Sequence, residues 1–119
     1  MTLDPNKVLT KAALRAAQLL GLEDIELARA LGIDLKTLGD LRSAAAMVQH
    51  DSAIGKRCLS LIRVHQALNN LVGGNAAQMQ LWLRSHNSGL GGVPMEFIST
   101  EAGMTRVVSL LEGYLNGWL

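Results

Sequence analysis

The stretch from Ser52 to Val72 leaves this chain the least freedom. Ile54, Cys58, Leu61, His65, Leu68 and Val72 follow one another at intervals that alternate between four and three residues. That spacing places all six on one stripe of a helix and is incompatible with the period of two that a strand requires. The stripe is narrow and continuous, as in a helix packed along a partner helix, so this segment is the candidate for joining two modules and for self-association.

The flanking sequence is punctuated for further helices. Asp4-Pro5 is a helix start, with Asp able to cap and Pro suited to the first helical position. Val8, Ala12, Ala16, Leu19 and Leu20 then recur at helical spacing until Gly21. A short second helix is predicted from Asp24 to Leu31, with Ile25, Leu27, Ala28 and Leu31 apolar and Gly32 ending it. Asp34 caps a third helix from Leu35 to about Ala45, and Ile33 and Leu38 hold the spacing of a hydrophobic staple. After Gly73-Gly74, Asn75 caps a helix whose Met79, Trp82, Leu83 and His86 share a face. Pro94 opens a short helical turn through Phe97, and Thr100 caps a last helix carrying Val107, Val108, Leu111, Tyr114 and Leu115. No alternating strand pattern, repeat or low-complexity segment interrupts this order. Leu and Ala dominate while aromatic residues make up only 3% of the chain, which favours helices, so the expected fold is all-α.

Several function classes drop out on composition. At 119 residues the chain is one domain, or two small modules sharing a core. The single Cys58 excludes an internal disulfide, and His50, His65 and His86 lack the paired spacing of a metal site, so no metal is expected. No nucleophile–base–orienter set or phosphate loop is present, and neither an enzyme nor a cofactor is expected. The chain has no apolar run of about 18 residues and no basic-then-apolar start, which predicts a cytoplasmic protein without membrane contact. Net charge is +1, and up to His50 six basic residues (Lys7, Lys11, Arg15, Arg29, Lys36, Arg42) meet six acidic ones. Any nucleic-acid role must therefore come from local arrangement rather than bulk charge.

Residues 25 to 41, IELARALGIDLKTLGDL, meet the needs of a helix-turn-helix. Ala28 is small where the helices approach, Gly32 suits a left-handed turn, and Ile33, Leu38 and Leu41 lock the angle. The segment resembles the Xre-type helix-turn-helix, whose second helix docks in the major groove, which makes Lys36, Thr37, Asp40 and Arg42 the candidate DNA-reading residues. Purely scaffolding corners share this pattern, and Gly39 and Asp40 stand where DNA readers more often carry Arg, Asn or Gln.

A second resemblance is carried by residues 81 to 114: Trp82-Leu83-Arg84, Asn87, Leu90-Gly91-Gly92, Pro94, Thr100-Glu101, Gly103, Val107 and Leu110-Leu111. That order resembles the toxin-binding domain of the MbcA/ParS/Xre antitoxin family over residues 59 to 119, and a helix-turn-helix in front is the family's usual companion. The resemblance implies an Xre-like module at 1–50 and a C-terminal toxin-binding domain at 51–119. It further implies a partner toxin with a RES domain that attacks NAD, neutralised by covering the entrance to its NAD pocket, and repression of the shared operon by the helix-turn-helix end. A homodimer would double the phosphate contacts on operator DNA. The partner-binding candidates are Arg84, Asn87, Leu90, Gly91, Gly92, Val93, Met95, Phe97, Tyr114, Trp118 and Leu119. Trp82 reads as a core anchor, and the glycines as builders of a rigid turn presenting Leu90, Val93, Met95 and Phe97. The terminal aromatic tail has two open readings, folding back on the core or reaching against the toxin. Two rival functions stand beside this one: a helix-turn-helix regulator with no toxin, and an antitoxin whose helix-turn-helix no longer binds DNA.

Overall fold

The computed structural model describes residues 3–117, and among them the regular elements are all helices. In chain order they are α1 (Pro5–Leu19), α2 (Asp24–Leu31), α3 (Leu35–Arg42), α4 (Ala53–Leu71), α5 (Ala76–Arg84), α6 (Pro94–Phe97) and α7 (Glu101–Leu115). The fold is all-α, as the sequence predicts.

Capping explains most of the boundaries. The Asp4 carboxylate accepts from the Asn6 N–H at 2.9 Å, Asp34 from Thr37 at 2.8 Å, and Asn75 from Gln78 at 3.0 Å. The Ser52 and Thr100 hydroxyls accept from Gly55 and Gly103, each at 3.0 Å. Each bond satisfies an amide that the first helical turn leaves without a partner. Glu23 and Glu26 form a reciprocal capping box at α2, a start signal the sequence reading passed over. Gly32 ends α2 in the left-handed region at φ 73°. Helix α3 stops at Arg42, three residues short of expectation, and Ala44 takes a left-handed turn at φ 63°.

Helix α4 is the axis of the molecule. It packs along α1 on one flank and α7 on the other, and α2 and α5 also touch it. Its buried side is wider than the predicted stripe, because Gly55, Val64 and Ala67 are buried beside Cys58, Leu61 and Leu68. The expectation of one narrow seam is corrected accordingly: two neighbours require two faces. One buried apolar cluster runs from Ala13 of α1 through α4 to Leu111 of α7.

Two other faces also differ from the predicted stripes. Val8 and Ile25, expected inward, are 47% and 44% exposed. On α1 the buried positions are Thr10, Ala13, Ala16 and Ala17. Thr10 belongs inside because its hydroxyl donates to the Asn6 carbonyl at 2.7 Å and accepts from the Val48 N–H at 2.9 Å. A polar residue so satisfied costs little to bury, and it pins the α3–α4 connection to α1.

His65 is the polar member of the α4 stripe. Its Nε2 is buried without a hydrogen-bond partner among the described residues. Desolvation, aided by the charge of Arg15, holds its pKa below the ordinary 6.5. With the folded pKa depressed, acidification protonates the unfolded chain first, so stability is full above the unfolded value and is lost as pH falls through it. Urea unfolding is expected to show lower stability at about pH 5.5 than at about pH 7.5, with a smaller loss in His65→Leu. Equal losses in the two proteins would remove His65 as the cause.

Candidate functional site

The corner between α5 and α7 is built around Asn87. Its N–H donates to the Gly92 carbonyl at 2.8 Å, and its own carbonyl accepts from Gly91 at 2.9 Å. Its side-chain oxygen accepts from the Leu90 N–H at 3.1 Å. Four residues are thereby closed into a tight loop with one antiparallel bridge, and Gly91 supplies the required left-handed turn at φ 76°. Asn87 is thus consumed in shaping the loop.

Packing fixes the loop from below. Leu90 is only 5% exposed and belongs to the core, as does Ile98, and Pro94 is buried beside them in the chain. The expectation that Leu90 is presented outward is corrected: the turn drives its side chain inward while its neighbours stay outside. The Arg106 guanidinium donates to the Leu90 carbonyl at 3.2 Å and lies 5.0 Å over the centre of the Phe97 ring. This cation–π contact joins α7 to α6. Gly92 lies against the same ring, where an added Cβ would come within 2.8 Å of the Phe97 Cε1.

What remains on the surface is a half-buried apolar trio, Val93, Met95 and Phe97. Trp82 is likewise half-buried and packed against the core, while Tyr114 is 39% exposed near the end of α7. Trp118 and Leu119, also named as partner-binding candidates, lie outside the described residues.

Arg84 points elsewhere. It forms a two-pronged pair with Glu26, both bonds 2.9 Å, and donates to the Gly21 carbonyl at 2.9 Å. This hydrogen bonding holds the Glu26 carboxyl below its usual range and raises the Arg84 pKa. Arg84 is therefore a tie between α5 and α2 rather than an unengaged side chain awaiting a partner. Arg57 is a second tie, which the sequence reading did not single out. It donates to the Ala30 and Arg29 carbonyls at 2.8 and 2.9 Å and to the Ser99 carbonyl at 3.2 Å. It thus satisfies the end of α2 and holds the α6–α7 turn beside it. Met95, Glu96 and Ser99 face Glu26 and Arg29 across a small cleft of about 210 Å³.

The four DNA-reading candidates share α3 but are largely committed within the molecule. Lys36 pairs with Asp40 at 3.2 Å, and Arg42 with Asp24 at 2.7 Å. The Thr37 backbone N–H and side chain hydrogen-bond Asp34, which lowers that carboxyl's pKa. The buried Cys58 thiol is pushed up to about 11 by desolvation, which suppresses the reactive thiolate. Among the described residues no group of three His, Cys, Asp or Glu side chains could hold a metal ion, and no helix is long and apolar enough to cross a membrane.

The corner is thus braced from several sides and leaves a small apolar surface on a helical body stapled by arginines. Residues 67–117 match the antitoxin Xre/MbcA/ParS C-terminal toxin-binding domain, a likeness that covers a little under half of the chain. The match runs from the last turn of α4 to just past α7 and so contains the whole corner. The match supports an antitoxin role for this part of the chain and implies a toxin as the kind of partner it would bind. The comparison with curated proteins gave no match.

Proposed function

We propose that this chain neutralises a RES-domain, NAD-degrading toxin by binding over the entrance to its active site, and that it represses its own operon. In this reading residues 51–119 hold the toxin, with Val93, Met95 and Phe97 as the contact surface and the chain's end, including Tyr114, Trp118 and Leu119, extending it. Gly91, Gly92, Asn87, Leu90 and Arg84 act by keeping that surface in shape. Residues 1–50 supply the helix-turn-helix, with α2 and α3 joined by the Gly32–Asp34 turn, and a homodimer in the cytoplasm presents two copies to operator DNA. The observation that carries the proposal is the coincidence of the toxin-binding family match with the apolar trio on the braced corner.

Tight inhibition requires an interface of about 1,600 Å², so the trio would form its centre and the surrounding helices its rim. The test is co-expression with the neighbouring toxin gene, followed by co-purification and measurement of cellular NAD. Association with restored NAD supports the proposal. Met95→Glu together with Phe97→Glu should abolish rescue while leaving the circular dichroism spectrum helical. A toxin still neutralised by that folded variant would move the interface elsewhere, and a wild-type chain that neither binds nor rescues would end the RES reading.

A further inference from the structure

Charge is distributed unequally among the N-terminal helices. Helix α3 with its cap holds Lys36 and Arg42 against Asp34 and Asp40, and α2 with its cap holds Arg29 against Glu23, Asp24 and Glu26. Helix α1 with its cap holds Lys7, Lys11 and Arg15 against Asp4 alone. These three are exposed, and among the described residues none of them forms an ion pair. The α3 cations, by contrast, each lie against a carboxylate in a solvent-exposed ion pair.

Geometry sharpens the asymmetry. Positions 7, 11 and 15 lie four residues apart, so the three cations stand in a row on one face, spaced about 6 Å along the axis. The row borders two adjoining concavities of about 600 and 430 Å³ that share Lys11, Leu14 and Arg42. Asp4 is the one carboxylate lining them, and it is occupied in capping α1. Arg42, which also lines both, is paired with Asp24 at 2.7 Å.

We infer that this α1 row is the surface on which the chain takes the phosphate backbone of duplex DNA, and that it supplies most of the electrostatic affinity. The inference rests on the operator-binding reading and relocates its main contact from α3 to α1. Evenly spaced cations without carboxylate partners, of which Arg15 donates only to the neutral Gln18 side chain at 3.0 Å, suit a regular polyanion, whose condensed counterions they would release. The α3 cations share a local field with the carboxylates they pair with at the surface, which offsets their pull on a phosphate, so they are suited to positioning and base discrimination rather than to bulk affinity.

The test is fluorescence anisotropy of a labelled duplex carrying the chain's own promoter, and of an unrelated duplex, across a salt series. Three proteins are compared: wild type, Lys7→Gln/Lys11→Gln/Arg15→Gln, and the charge-retaining Lys7→Arg/Lys11→Arg/Arg15→Lys. The neutral variant should weaken binding to both duplexes and flatten the dependence of log affinity on log salt by about 3, while the charge-retaining variant should keep the wild-type slope. For three such contacts the wild type loses an additional factor of about 40 between 50 and 200 mM salt relative to the neutral variant. Circular dichroism and toxin co-purification on the same samples verify folding. If the wild type binds and the folded neutral variant binds with the same affinity and slope, the inference falls and the operator reading stands. If the wild type binds neither duplex, both fall. Loss of toxin binding with DNA binding intact would assign the row to an acidic protein surface and overturn the inference.

Discussion

Gly103→Ala is expected to destabilise the protein by about 3 kcal/mol, against the usual sense of a glycine-to-alanine change in a helix. Alanine ordinarily stabilises a helix interior by about 0.5–1 kcal/mol over glycine, because the unfolded chain loses less freedom. At Gly103 the added Cβ would fall inside the van der Waals surface of the Phe97 carbonyl oxygen and within 2.8 Å of its carbonyl carbon. Both belong to backbone, which cannot rotate aside as a side chain does. Relief requires α6 and α7 to separate, and that would also disturb the Arg106–Phe97 contact and the apolar trio. Gly39→Ala is the matched control: nothing lies within 4 Å of its added Cβ, and a gain of about 0.5–1 kcal/mol is expected. Urea unfolding of the two variants checks both signs, and a stabilised Gly103→Ala would show that the junction is loosely packed.

Leu61→Ala should cost about 2–5 kcal/mol, a large part of the roughly 5–15 kcal/mol that holds a domain of this size together. Leu61 is fully buried on α4, whose two packed faces meet α1 and α7, so the cavity left behind has neighbours on several sides. The urea midpoint should fall with an unchanged slope. Because α4 serves both ends of the chain, helix content and tryptophan fluorescence should also fall together in one transition. Separate transitions would show that residues 1–50 and 51–119 unfold independently.

Local grammar was legible in the sequence, and long-range commitments were not. Ser52 and Val72 bracket α4 as predicted, and the Asp4, Asp34, Asn75 and Thr100 caps are where the residue types imply. Cap and stripe signals act within a few residues, so the chain states them outright. Thr10 was passed over because its second partner, Val48, is distant in sequence, and nothing near a threonine announces that its hydroxyl will be satisfied inside. Arg84 read as a motif residue exposed to a partner, yet Glu26 claims it from across the fold. Leu90 read as presented because it sits among glycines, but the Asn87 turn reverses its direction. The corner's existence was therefore visible from its Asn, Gly and Pro content, while the identity of its outward-facing side chains depended on how α7 closes beneath it.

The buried thiol of Cys58 has a practical consequence for work on this molecule. With one cysteine in the chain, inaccessible and held protonated near neutral pH, native protein offers a thiol reagent almost nothing to attack. A cysteine introduced at an exposed position on α1 or beside the corner would take a spectroscopic label alone. When α4 opens, Cys58 itself becomes the reporter, and its modification rate clocks the rare excursions of the central helix from the folded state.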